Sequence, residues 1–366
     1  MSGDDARWMR LALSLGARGA GRVWPNPAVG CVIVKGARVL GRGWTAPGGR
    51  PHAETQALAQ AGEGAHGATA YVTLEPCAHF GQTPPCVEAL IRASVARVVV
   101  ALRDPDPRTD GGGLSRLRAA GIAVTVGVED AAARRTHAGF LSRITRGRPA
   151  LTLKLATTFD GRIATATGES QWITGPEARR EVHGMRARHD AVMVGAGTAR
   201  ADDPSLTVRG LGVAHQPLRI VVSRNLDLPQ TGQLAETARQ LPLWLLHAPD
   251  APTDRQKAWA DLGARLLPVG TGPDGAIDMG AALQKLGQEG LTRIFCEGGG
   301  ALAASLLAGD LVDDFVGFTA GLPIGAEGQP AIGAMGLATL SEAPRFTLCN
   351  TRAIGADIVH EWTRSR

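Results

Sequence analysis

Three short segments constrain this chain more than any other feature: His52-Ala53-Glu54, Pro76-Cys77 and Cys86. One imidazole and two thiols are donors that zinc accepts, and three protein ligands leave the fourth tetrahedral corner open, as in a catalytic site. Zinc makes a water at that corner acidic enough to yield hydroxide near neutral pH. Glu54 follows His52 by two residues, at the start of a helix predicted over 53–61. From there it reaches the water without being a ligand and serves as the carrier of its proton. The competing arrangement is a closed zinc site completed by His79, or a set of free buried cysteines. Both leave the paired His-Ala-Glu and Pro-Cys as coincidence.

The 366 residues suit two domains of ordinary size. Aromatic residues are only 4%, so aliphatic side chains must do most of the packing. The net charge of +5 is small for this length and suits an anionic small molecule; with no dense Lys/Arg run, a nucleic-acid role gains little support. Five cysteines are an odd number for a disulfide framework. Asp4 and Asp5 spoil a signal-peptide n-region, and no apolar run approaches the ~20 residues that span a bilayer. A soluble, cytoplasmic protein is expected.

Helices are predicted over 6–20, 53–61, 87–93 and 114–120, and strands over 29–34, 39–44, 70–74, 95–102 and 122–126. Such alternation means a layered α/β domain. The basic stretch 141–149 marks the boundary, giving domains at 1–148 and 149–366. The second region reads as strands at 151–156, 191–195, 218–222, 243–247, 264–269, 293–296, 314–319 and 357–361. Its helices fall at 176–188, 255–262, 279–288 and 300–308, and 321–336 reads as an ordered loop. Within it, TLKLATTFDGRIA (152–164) is a strand running into a turn, VGAGTARADDPSLTVR (194–209) a glycine-rich loop after a strand, and FCEGGGALAASLL (295–307) a strand, glycine loop and helix start. A glycine loop at a helix start admits a phosphate, although glycines are also ordinary turn punctuation. No G-x-G-x-x-G follows a first strand, so a dinucleotide-binding Rossmann domain is not indicated. Cys31 and Cys296 read as small apolar fillers of buried strands.

The His-x-Glu and Pro-Cys pattern is that of zinc deaminases acting on bases and nucleosides, whose cysteines are separated by two residues. Here eight residues, 78–85, intervene. The segment TLEPCAHFGQTPPC, with PNPAVGCVIV (25–34), ALRDPDP (101–107) and the triple glycine after it, resembles the bifunctional pyrimidine deaminase/reductase family of riboflavin biosynthesis. The likeness runs over nearly the whole chain. It implies a cytidine-deaminase-like three-layer α/β/α domain at 1–148 and a dihydrofolate-reductase-like α/β domain at 149–366. It implies one zinc ion per chain in the first and NADPH in the second. The implied substrate is 2,5-diamino-6-ribosylamino-4-pyrimidinone 5′-phosphate, deaminated first and then reduced from a ribosyl to a ribityl side chain. A homo-oligomer, dimer or tetramer, is implied through the reductase domains.

Carried over by position, Asn26 would hydrogen-bond the pyrimidine, and Asp104 would lie on the substrate side. Ala156, Trp172, Thr198 and Asp202 would contact NADPH, with the loop Gly299, Gly300, Ala301, Leu302, Ala303, Ala304 and Ser305. Ser170, Arg186, Leu206, Arg209 and Glu297 would contact the substrate, the two arginines suiting its 5′-phosphate. Asp202 would also assist proton delivery as hydride reaches the sugar. Four places depart from the family's commoner pattern. Thr45 stands where His is usual, Gln82 where Lys or Arg meets the phosphate, and Asp106 where Asn is usual. Ser223-Arg224 replaces Asp-Ser, and Arg224 would meet the 2′-phosphate of NADPH. Arg50 or Arg103 would supply the charge Gln82 lacks. Two other readings compete: a tRNA or nucleoside deaminase with a binding appendage, and a zinc-stabilised binding module. A third keeps the family fold with a deaminase half impaired by its pocket changes.

Overall fold

The computed structural model describes residues 3–81 and 83–365, so Gln82 lies outside the described residues. The chain divides into two compact units, Met1–Gly147 and Arg148–Arg366.

The first unit runs α1 (Gly3–Gly16), β1 (Gly30–Lys35), β2 (Arg38–Trp44), α2 (Ala53–Ala61), β3 (Thr69–Val72), α3 (Cys86–Arg92), β4 (Arg97–Val100), α4 (Gly112–Ala119), β5 (Ala123–Val126), α5 (Asp130–Thr136) and α6 (Ala138–Arg146). The sheet order is β2-β1-β3-β4-β5. β1 is antiparallel to both neighbours, and β3, β4 and β5 are parallel. Cys31, Val32 and Ile33 in β1 and Val98, Val99 and Val100 in β4 are fully buried. Such unbroken aliphatic runs belong to strands covered on both faces. Gly30 faces α1, and Gly43, which pairs with the next residue Cys31, faces α2. A Cβ on Gly43 would stand 2.1 Å from the Ala53 carbonyl oxygen. Its absence lets the start of α2, with His52 at its N-cap, settle onto the hairpin.

The second unit runs β6 (Ala150–Thr158), β7 (Arg162–Ala164), α7 (Pro176–Arg186), β8 (Ala191–Gly195), α8 (Ala196–Asp202), β9 (Leu218–Val222), α9 (Gln233–Glu236), β10 (Leu243–His247), α10 (Thr253–Asp261), β11 (Arg265–Pro268), α11 (Met279–Gln288), β12 (Arg293–Gly298), α12 (Gly300–Ala308), β13 (Asp314–Ala320), β14 (Gln329–Pro330), β15 (Phe346–Ile354) and β16 (Asp357–Arg364). Its large sheet has the order β11-β10-β9-β8-β12-β6-β13-β16-β15, and β14 pairs with β7. The strands from β11 to β13 are parallel, and the last two form an antiparallel hairpin.

The two units divide within the basic stretch 141–149, between Gly147 and Arg148, and α6 continues to Arg146 with Phe140, Leu141 and Ile144 packed on the core. Two expectations differ from what is found. The glycine-rich segment after β8 is not a loop but α8, whose Ala199 is buried against the core beside β8 and β9. β15 was not anticipated, because seven of its nine residues are exposed. An edge strand open on both faces carries no burial periodicity.

One buried histidine makes the second unit pH-sensitive. His189 is 8% exposed. Its Nδ1–H donates to the Met185 carbonyl at 2.8 Å, so Nε2 accepts from the Thr152 hydroxyl at 3.1 Å. Burial, with Arg293 nearby, pushes it down from 6.5 to about 3. Below about pH 6.5 the unfolded chain takes a proton that the native ring refuses, so stability is present at neutral pH and lost as pH falls. The slope should be about 1.4 kcal/mol per pH unit between those limits. Calorimetry at pH 7 and pH 5 should show the second unit's transition falling, and His189→Gln should flatten that dependence.

Candidate functional site

His52 precedes α2 with an extended backbone, Cys77 follows β3, and Cys86 opens α3. His52 Nδ1 lies 3.3 Å from Cys86 Sγ and 3.7 Å from Cys77 Sγ. All three donor atoms fall within 4.8 Å of one another. Nitrogen and sulfur sharing a tetrahedral zinc ion stand roughly 3.5 Å apart, so the spacing fits that metal. The electrostatics fit as well. The Cys77 thiol is pulled down to about 4 by its hydrogen bonds with Cys86 and His52. Cys86 moves up, because it keeps the shared proton and is buried. Two adjacent thiols cannot both ionise without a cation between them, and a divalent ion is what this donor set would welcome. His79, the alternative fourth ligand, is not in the cluster, and its ring approaches the Thr109 hydroxyl at 3.5 Å. Glu54 is 3% exposed. Burial, and then the Cys77 charge, push its carboxyl up to about 7. A cation at the cluster would pull it back toward the ionised form that can accept a proton.

Asn26 lies on a loop held by Thr45 and packs against Gly49, three residues before His52. The Thr45 hydroxyl donates to the Pro27 carbonyl at 3.0 Å and accepts from the Val29 N–H at 3.0 Å. Thr45 is thus a buried clamp on the Asn26 loop. The Asn26 amide fills the space that a Cβ on Gly49 would need. Asp104 is buried, accepts from the Asp106 N–H at 2.9 Å, and is pushed up to about 7 by burial. Asp106 is taken by Arg108, whose guanidinium holds its carboxyl below the usual range. Of the two cations expected to replace Gln82, Arg103 is engaged with Asp110, at 2.9 Å to its carbonyl and 3.1 Å to its carboxylate. Arg50 donates to the Thr83 hydroxyl on the loop between the cysteines, and its charge is felt at His52.

The second unit holds a cavity of about 1100 Å³ at the C-terminal ends of its parallel strands. Its wall includes Ala156, Ser170, Trp172, Arg186, Thr198 and Asp202, and beyond them Leu206, Arg209, Arg224 and Glu297. Gly299, Gly300, Ala301, Leu302 and Ser305 line it too. Ala303 and Ala304 do not reach it: they are buried in the core. On a helix of 3.6 residues per turn, positions 302 and 305 face the cavity while 303 and 304 turn to the sheet.

Charge inside the cavity is arranged differently from the expectation. Arg186 lines the cavity but is already engaged by protein partners. Its Nε and Nη2 clasp Glu297 at 2.5 and 2.9 Å, and Nη1 donates to the Thr207 carbonyl at 2.8 Å. Arg209 forms no ion pair among the described residues and is exposed. Arg224 sits on the rim, with Nη2 3.0 Å from Asp250 and Nε 2.7 Å from the Gly275 carbonyl. The Ser170 hydroxyl approaches Asp202 Oδ1 at 3.5 Å, and burial raises the Asp202 carboxyl. Sequence reasoning missed Lys154, which lines the same cavity; burial lowers its ammonium, and Glu297 partly offsets that. Its one signal was a lysine in the middle of an aliphatic strand.

Among the described residues no helix is long and apolar enough to cross a membrane. Residues 2–102 match the cytidine and deoxycytidylate deaminase zinc-binding region, and residues 149–360 match the RibD C-terminal domain. The riboflavin biosynthesis protein RibD of Escherichia coli is 40% identical over 97% of this chain and 98% of its own. That of Aquifex aeolicus is 39% identical, over 97% of each. A solved structure of Acinetobacter baumannii RibD superposes with a TM-score of 0.88 at 38% identity, covering 99% of both chains. A Thermotoga maritima diaminohydroxyphosphoribosylaminopyrimidine deaminase/5-amino-6-(5-phosphoribosylamino)uracil reductase superposes with a TM-score of 0.86 at 31% identity, covering 99% of both. With a cytidine-deaminase-like first unit and a dihydrofolate-reductase-like second, the chain belongs to the RibD family, the bifunctional deaminase–reductases of riboflavin biosynthesis.

Proposed function

We propose that residues 1–148 deaminate 2,5-diamino-6-ribosylamino-4-pyrimidinone 5′-phosphate and that residues 149–366 reduce the product's ribosyl group with NADPH. The observation that carries the first step is the meeting of His52, Cys77 and Cys86 beside the buried carboxyl of Glu54. These three residues hold a zinc ion, which when bound makes water a nucleophile near neutral pH. Glu54 takes the proton of the attacking water and returns it to the departing amino nitrogen. Asn26 and Asp104 fix the pyrimidine, and Arg50 is the cation we assign to its phosphate.

For the second step, the cavity exceeds the ~1,000 Å³ upper range of single small-molecule sites and suits cofactor and substrate together. The glycine turn before α12 offers backbone N–H groups to a phosphate. Ala156, Trp172, Thr198 and the turn from Gly299 line the cofactor side, and Arg224 is assigned to a 2′-phosphate. NADPH when bound supplies the hydride. Asp202, held by Ser170, delivers the proton as a neutral acid, with the Lys154 ammonium as a second proton donor in the same wall. Leu206 and Glu297 border the sugar. Arg209 is the phosphate anchor, and Arg209→Ala should raise the reductase KM about tenfold or more with kcat little changed, as read from steady-state kinetics.

A reducing compartment suits the five unpaired cysteines, so we place the enzyme in the cytoplasm, as a homo-oligomer. The test supplies the diaminopyrimidine ribotide with and without NADPH and follows ammonia release and cofactor oxidation separately. Ammonia should appear without NADPH, and oxidation should follow only after deamination. NADPH oxidation with no ammonia would remove the first assignment; ammonia with no oxidation would remove the second.

A further inference from the structure

Glu75 lies two residues before Cys77 and is absent from every role above. It is 3% exposed, and among the described residues it forms no ion pair. Its carboxylate instead gathers three main-chain donors. Oε2 accepts from the Asp104 N–H at 3.3 Å and the Gly111 N–H at 3.2 Å, and Oε1 accepts from the Leu114 N–H at 3.1 Å. Its own N–H donates to the Leu102 carbonyl at 2.9 Å, prolonging the β3–β4 ladder toward the metal cluster. One side chain therefore joins the metal-ligand segment, the Asp104 segment and the first turn of α4.

A buried carboxylate without a cation is costly to keep ionised unless several donors satisfy it. A glutamine there would turn an NH₂ group toward at least one N–H and lose that bond. The packing leaves no slack. Gly113 of α4 packs on the metal-ligand segment, where a Cβ on it would stand 2.3 Å from the Pro76 carbonyl oxygen and 3.1 Å from Glu75 Oε1.

We propose that Glu75 is the positioning residue for pyrimidine recognition, holding the Asp104 segment at a set distance from the metal-binding cysteines. The proposal rests on Asp104 contacting the substrate. The loss of Glu75 shifts the recognition loop and leaves the metal ligands and Glu54 in place, so binding suffers more than turnover.

The test measures deamination kinetics, zinc content and reductase turnover in Glu75→Gln, Asp104→Ala and the double variant. Glu75→Gln should raise KM about tenfold, with kcat within about threefold, one zinc per chain and normal reduction. In the double variant Glu75→Gln should add little to Asp104→Ala, because it acts through that residue. Glu75→Asp, which keeps the carboxylate but shortens its reach to the three N–H donors, should repeat the KM rise and carries the test if Glu75→Gln is insoluble. An unchanged KM in Glu75→Gln beside a raised KM in Asp104→Ala would overturn the positioning role alone. An unchanged KM in Asp104→Ala would overturn the substrate reading beneath it. Additive effects, or kcat falling together with zinc content, would also overturn the proposal.

Discussion

Glu54→Gln is expected to lower the deamination kcat about a thousandfold while zinc stays bound and NADPH-dependent reduction of the deaminated product is untouched. The side chain is 3% exposed, so the isosteric amide fills the same space without opening a cavity. What it cannot do is carry a proton. The ligands His52, Cys77 and Cys86 do not depend on it, so metal analysis should still find one zinc per chain. KM should hardly move, because Glu54 is assigned to the reacting proton and not to the base. Ammonia release by the variant at the wild-type rate would remove Glu54 from the chemistry, even with the metal cluster intact.

Arg186→Leu should destabilise the second unit by about 3–5 kcal/mol, the usual cost of stranding a buried charge. For a unit of this size that is a fall of roughly 10 °C in Tm. Arg186 and Glu297 are only 11% and 10% exposed. Burial would raise the Glu297 carboxyl, but the Arg186 charge and hydrogen bonds prevail and leave it below its usual 4.5. In the wild type this contribution is present above about pH 4.5 and is lost as pH falls further. In the variant the sign reverses. An unpaired Glu297 prefers its proton, so the deficit should shrink on acidification. Arg186→Leu combined with Glu297→Leu should recover most of the loss. Calorimetry of the three proteins at pH 8 and pH 5.5 checks both statements, and equal melting of wild type and single variant would show the pair to be dispensable.

The metal cluster was legible in advance because it is a matter of residue type and local structure. His52 and Cys86 flank helix starts, and Cys77 follows a strand, so the covalent order already limits where their donors can point. Strands β1, β4 and β12 were equally legible, since their short apolar runs are what two covered faces require. The glycines that mark a turn elsewhere misled at α8, where burial of Ala199 outweighs the weak helix propensity of Gly197. β15 was illegible for the opposite reason: pairing with β16 holds it, and backbone hydrogen bonds leave no imprint on side-chain pattern.

Residue types and their spacing set out the donor set for the metal, its proton carrier, the two α/β units and the glycine turn ahead of α12. Folding alone assigned the partners. Arg186 reads as a free phosphate cation until β12 brings Glu297 against it from 111 residues away. Glu75 finds its three N–H donors only because β3 and β4 bring it beside the Asp104 segment and α4. Lys154 joins the cavity wall only through the pleat of β6. The chemistry of a side chain is local, but which group satisfies its charge depends on strand register and on helix faces packed from distant parts of the chain.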